Sequence, residues 1–117
     1  MAQNPFQIIE NGGYIFSLLM GSSVVGVCAL FNEGNGIYQL ARMAVSPKFH
    51  GHGYGNMLIE ACFSKLKEVG ADKVYLISNT KLTSAIALYK KYNFLTTYKG
   101  VHPIYSRASI CMERKFL

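Results

Sequence analysis

Tryptophan is absent from this sequence, aspartate occurs once, and cysteine occurs only three times. Each scarcity removes a class of function. With Asp72 as the only aspartate and no G-x-S-x-G element, Ser–His–Asp hydrolysis has nothing to be built from. Cys28, Cys62 and Cys111 are odd in number, far apart in sequence and form no C-x-x-C pair, so they read as buried reduced thiols. His50 and His52 lack a nearby third ligand, and no metal is expected. No apolar run approaches the roughly 20 residues of a membrane span. The opening MAQNPFQIIENGG has neither the basic start nor the apolar centre of a signal peptide, so a cytoplasmic location and no membrane partner are expected.

Acidic residues are also few: six against twelve Lys and Arg, a net charge of +6. That excess favours an anionic partner: nucleic acid, an acidic surface or a phosphorylated cofactor. Nucleic acid is the remote alternative, because the lysines are scattered and most aromatic residues fall at buried-pattern positions. The chain is long enough for one domain over residues 1–117, and half of it is apolar.

The first dozen residues are polar and turn-rich, ending at Asn11-Gly12-Gly13. Strands are predicted over residues 14–20, 24–31 and 37–45, joined by Gly21-Ser22 and by the turn cluster of residues 32–36. They form an antiparallel meander. Residues 55–69 then carry Leu58, Cys62, Leu66 and Val69 at helical spacing, with Gly70 as a C-terminal cap. The nearly all-apolar residues 73–78 read as a covered strand reached by a parallel crossover. A second helix is expected from about Thr80 to Tyr92, with Asn93 in a left-handed cap, and residues 94–98 and 108–116 read as a closing hairpin. The fold class is therefore α/β (α+β): a mixed central sheet with an antiparallel N-terminal meander, a βαβ crossover, a second helix and a C-terminal hairpin.

Residues 40–59, LARMAVSPKFHGHGYGNMLI, organise the rest. A strand ends at Ser46-Pro47, and Gly51, Gly53 and Gly55 then alternate through a loop that enters a helix. Glycines at a helix entrance expose backbone N–H groups where the helix carries partial positive charge, a cradle for an anion such as a phosphate. It is not a P-loop, because Gly55 is followed by Asn56-Met57 rather than Lys-Ser/Thr. Nor is it a Rossmann fingerprint, because the spacing is G-x-G-x-G and no acidic residue follows at the required distance.

His50-Gly51-His52-Gly53-Tyr54-Gly55 resembles the Q/R-x-x-G-x-G/A loop of the GNAT-type N-acetyltransferase superfamily, with His50 at the Gln/Arg position. YQLARMAVSP before it and SNTKLTSAIALYKKYNF after it fit the family's order and spacing, and Ala85 to Phe94 resembles its A-x-x-L-Y-x-K-x-x-F segment. The similarity runs from about Gly13 to the C-terminus. Most of the family's first strand and helices have no counterpart in the dozen residues before the hairpin.

The resemblance implies acetyl transfer from acetyl-CoA to a primary amine of a small molecule or peptide by direct attack in a ternary complex. The alternative is a noncatalytic acyl-CoA-binding module. The pyrophosphate would lie on the amides of His52, Gly53, Tyr54, Gly55 and Asn56, with His50 and Gly51 lining the loop. The pantetheine arm would run beside Met43, Ala44 and Val45 as an added strand, with Asn79 as a further hydrogen-bonding group. An amide near Met43 or Ala44 would stabilise the oxyanion, and Tyr89 would protonate the departing thiolate. The resemblance places the general base at Gln39, which takes up a proton poorly. A water relay, Glu33, His102, Glu113 or an acceptor of low pKa would serve instead. Arg107 and His102 are candidates for contact with an acidic acceptor. The missing first strand would leave an edge open, so a homodimer is expected.

Overall fold

Wherever the sequence alternates or turns wholly apolar it becomes part of one sheet. The computed structural model describes residues 5–100 and 109–116. In chain order the elements are α1 (Pro5–Glu10), β1 (Tyr14–Met20), β2 (Ser23–Gly34), β3 (Ile37–Val45), a 3₁₀ turn (Pro47–Phe49), α2 (Tyr54–Glu68), β4 (Lys73–Ser78), α3 (Thr83–Lys91), β5 (Leu95–Lys99) and β6 (Ile110–Lys115). Among the described residues six strands lie in the order β1-β2-β3-β4-β6-β5. Only β3 and β4 pair in parallel, as a strand–helix–strand crossover requires. The mixed sheet, meander, crossover and closing hairpin are those expected from the sequence.

Helices α2 and α3 cover one face. Leu58, Ile59, Cys62 and Leu66 of α2 meet Leu30, Leu40, Val74, Leu76 and Met112 from four strands, with Tyr89 and Phe94 closing the α3 side. Burying each aliphatic side chain of this size stabilises the fold by about 1.5–3 kcal/mol. Cys28 of β2 and Cys62 of α2 meet inside this core with their sulfurs 3.1 Å apart, unbridged, a contact the spacing of the cysteines did not announce. The partner's S–H holds the Cys28 thiol below its ordinary pKa, while the shared hydrogen bond and burial push Cys62 up.

Two features shape the sheet around the second half of β3. Beyond Gln39, paired with Tyr75, β3 and β4 make no further pairs. On the other edge of β3, Val27 opposes Ala44 but Ala29 opposes Ala41, so two residues face one and β3 carries a bulge. Arg42 within it has φ 54°, a left-handed conformation, and its guanidinium lies 5.5 Å from the Phe31 ring centroid. The bulge bends the second half of β3 away from β4 and opens the sheet there.

Several sequence expectations need correction. The first dozen residues are not merely a turn region: residues 5–10 form a helical turn that buries Ile8 against the sheet. Val69, placed on the apolar stripe of α2, is the C-cap residue and is 39% exposed. Helix α3 starts at Thr83 rather than near Thr80, because Thr80 bonds to Ser109 at the start of β6 instead of capping the helix. Gly70 and Asn93 do adopt left-handed conformations where each helix ends. His102, Pro103, Arg107 and Ala108 lie outside the described residues.

Candidate active site

Proline at position 47 ends β3, since it has no N–H to continue the ladder. One turn of 3₁₀ helix follows, then His50 in extended conformation. The His50 ring nitrogen Nε2 lies 2.8 Å from the Val45 carbonyl. A carbonyl only accepts, so Nε2 carries the proton and the ring ties the loop back to the strand it left. Gly51 and Gly53 have φ of 83° and 77°, conformations that favour glycine, and open space surrounds both. Gly53 is the N-cap of α2 and no side chain caps the helix. Its carbonyl accepts from Met57 N in the first intrahelical bond. Among the described residues, no acceptor takes the backbone amides of residues 51–56. Six successive donors thus stand without an acceptor at the N-terminus of a 15-residue helix, where the helix carries partial positive charge.

Gly55 belongs to the helix rather than the loop. A Cβ there would lie 3.0 Å from Leu88 Cδ2, so its lack of side chain lets α2 approach α3 closely. Asn56 reinforces that contact, its Oδ1 accepting from Lys91 Nζ at 2.8 Å and lying 3.1 Å from the Tyr92 hydroxyl. The rings of Phe49, His52 and Tyr54 cluster beside the amide row, with His52 and Tyr54 stacked at 5.7 Å.

The divergence of β3 from β4 opens a cleft of about 510 Å³ through the sheet. Leu40, Leu76 and Tyr89 line it from the helix-covered side. Gln39 and Ile77, their sequence neighbours with opposite side-chain direction, line it from the other. Met43 also lines the cleft. Ala44 and Val45 do not: Ala44 is exposed, while Val45 packs on the core. From Leu40 onward the β4-facing edge of β3 has no strand partner, which leaves room for an extended chain to pair there.

Tyr89 reaches the cleft from α3, 7% exposed and stacked obliquely on Phe94 at 5.7 Å. Burial, and secondarily Cys28, push its phenol above the ordinary value, so it holds its proton through neutral and mildly alkaline pH. Asn79 lines the cleft at the end of β4, and its Oδ1 accepts from Lys81 N, ordering the turn ahead of α3. Leu82 also lines the cleft.

On the side away from the helices the structure brings together residues that sequence reasoning left apart. Tyr75 is the strand partner of both Gln39 and Glu113. Its hydroxyl donates to Glu33 Oε1 at 3.1 Å and lies 3.4 Å from Gln39 Oε1. Glu113 instead pairs with Lys73 at 3.2 Å. Tyr75 was overlooked because it sits in an apolar run. The parallel register of β3 on β4 was the signal that could have found it. No group of His, Cys, Asp and Glu among the described residues could hold a metal.

The family model described as acetyltransferase (GNAT) family matches residues 2–94. No curated protein matches. Solved structures do. A GNAT-family acetyltransferase from Staphylococcus aureus Mu50 shares 20% identity over 96% of this chain and 73% of its own, with a TM-score of 0.87. A Bacillus subtilis acetyltransferase in complex with CoA shares 18% identity over 96% and 82%, with a TM-score of 0.78. A GNAT-family acetyltransferase from Elizabethkingia anophelis with acetyl-CoA bound shares 20% over 95% and 80%, with a TM-score of 0.77. These likenesses show the fold.

Proposed function

The chain belongs to the acetyltransferase (GNAT) family, and from that premise we propose that it is an N-acetyltransferase using acetyl-CoA and a primary amine of a small molecule or peptide. The observation that carries this reading is the row of unpaired amides over residues 51–56, reached from the end of β3, the strand whose open edge runs along the cleft. Those two features fit the two parts of CoA: a pyrophosphate on the amides and an extended amide-bearing arm along the strand.

When bound, acetyl-CoA supplies an activated acyl thioester. The chain's own groups do the rest. The amides of His52, Gly53, Tyr54, Gly55 and Asn56 bind the pyrophosphate, while His50 and Gly51 hold the loop in shape. Backbone groups of Met43, Ala44 and Val45 fix the arm, and an amide near Met43 or Ala44 donates to the thioester carbonyl oxygen. Tyr89 keeps its proton for the departing thiolate; a raised pKa suits an acid that must stay protonated at working pH. Positioning of both substrates contributes a further large share of the acceleration. Cytoplasmic location and pairing of two copies over edge strand β1 accompany this reading, the latter tested by light scattering.

A second reading, a noncatalytic acyl-CoA-binding module, is favoured by one observation: Gln39 stands in the cleft wall where the family places a carboxylate. Two measurements separate the readings. Acetyl-CoA at a hundredfold excess over Kd stabilises the protein by about 2.7 kcal/mol, a rise in Tm of roughly 10 °C, under both. No rise sinks both. Thiol release with a panel of primary amines occurs only if the chain is an enzyme.

A further inference from the structure

We infer that Glu33 takes the proton from the acceptor ammonium and that Tyr75 is the positioning residue that holds it there. The inference rests on the transferase reading above and supplies the base that Gln39 cannot. An amide oxygen is too weakly basic to deprotonate an alkyl ammonium at neutral pH, so the proton needs a carboxylate close to the cleft wall.

Glu33 comes near that wall because of a defect in the sheet. In β2, Asn32 opposes Tyr38 and Gly34 opposes Ile37, so Glu33 is an extra residue with no partner on β3. A bulged residue is re-aimed relative to the regular pleat. Here the side chains of Glu33 from β2 and Tyr75 from β4 meet across β3, the Tyr75 hydroxyl donating to Glu33 Oε1 at 3.1 Å. The same hydroxyl lies 3.4 Å from Gln39 Oε1, and Gln39 lines the cleft. The Glu33 carboxylate is therefore linked through the Tyr75 hydroxyl to a side chain that lines the cleft, and a water along that path would carry the ammonium proton to it.

The neighbouring carboxylate is less suited. Glu113 pairs with Lys73 at 3.2 Å, and proton uptake there would break an ion pair. Among the described residues Glu33 has no cationic partner; its recorded bond is from a neutral phenol, which orients the carboxylate without neutralising it.

The proton balance closes. The acceptor ammonium loses one proton to Glu33, and the freed lone pair forms the C–N bond as the C–S bond breaks. Tyr89 protonates the leaving sulfur and regains a proton from the nitrogen, so the second N–H proton ends on the thiol. Glu33 then returns its proton to solvent, and one proton is released per turnover.

The test uses the full chain, saturating acetyl-CoA and n-propylamine as acceptor, with thiol release followed across pH. Glu33→Gln lowers kcat about 100-fold and removes the acid limb of the profile, with Tm and acetyl-CoA affinity unchanged. Adding Gln39→Glu to that variant restores both turnover and the limb. Tyr75→Phe lowers kcat by about tenfold with the KM for acetyl-CoA unchanged, and Gln39→Glu rescues it as well. A Glu33→Gln profile within twofold of the parent, or a double variant with no recovery, overturns the inference. So does a parent that gains thermal stability from acetyl-CoA yet never releases thiol. If acetyl-CoA leaves Tm unchanged, the transferase reading itself falls.

Discussion

The two ends of β3 are built from different materials. At its C-terminal end the chain leaves the sheet, turns through Gly51 and Gly53, and offers six backbone amides with almost no side-chain chemistry. At its N-terminal end the working groups are side chains: Gln39 from β3, Tyr75 from β4 and Glu33 from β2, the last two 42 positions apart in sequence. The first end depends on backbone conformation and is indifferent to most side-chain identities. The second depends on a register and a bulge. On the proposed reading, a site made this way would keep its acyl donor fixed while its proton chemistry and acceptor change.

The sharpest probe of the contrast lies between the two ends. Tyr89→Phe removes one hydroxyl from the cleft and lowers kcat by about 100-fold or more, with the Kd for acetyl-CoA unchanged by equilibrium titration. The parent's pH profile tests the same group. A general acid acts only while protonated, so activity falls as pH rises through its pKa; burial raises that pKa above 10, and the alkaline limb lies above pH 10. Linkage has the same sign. The stability tied to the raised pKa is full below 10 and is lost as pH climbs through the folded-state value.

Next in size, Gly53→Val strikes the backbone-built end. With open space around the position, the damage comes from φ of 77° alone. It lowers stability by about 1–2 kcal/mol and raises the acetyl-CoA Kd roughly tenfold, equivalent to 1.4 kcal/mol. A Gly53→Val protein with parental affinity would break the claim that this end works through its main chain. His50→Ala unties the loop from Val45 at a cost of about 0.5–1 kcal/mol, since the bond is exposed, and shifts Kd by a few-fold in isothermal titration. Lys73→Ala, at the side-chain end, costs about 0–1 kcal/mol by chemical denaturation, as expected for a part-exposed ion pair.

Legibility followed the same division. Tyr14–Met20, Ile37–Val45 and Lys73–Ser78 were readable to the residue, because apolar runs bounded by Gly, Asn, Ser and Pro leave few alternatives. The glycine loop entering α2 was readable because glycine spacing at a helix entrance is a local signal. The start of α3 was misjudged because Thr80 bonds to Ser109, just before β6 and 29 positions away. The contact of Cys28 with Cys62 and the cluster at Tyr75 depend on which strands neighbour which and in what register. No periodicity within a single segment carries that information.

The close approach at Gly55 makes the two helices a gauge. Leu88, the residue beside Tyr89, rests where a Cβ at position 55 would press, so the approach of α2 to α3 at this point depends on the missing side chain. Gly55→Ala would insert a shim between them. Leu88 would have to give by a few tenths of an ångström, and any part it could not absorb would pass to the helices that carry the glycine loop and the phenol.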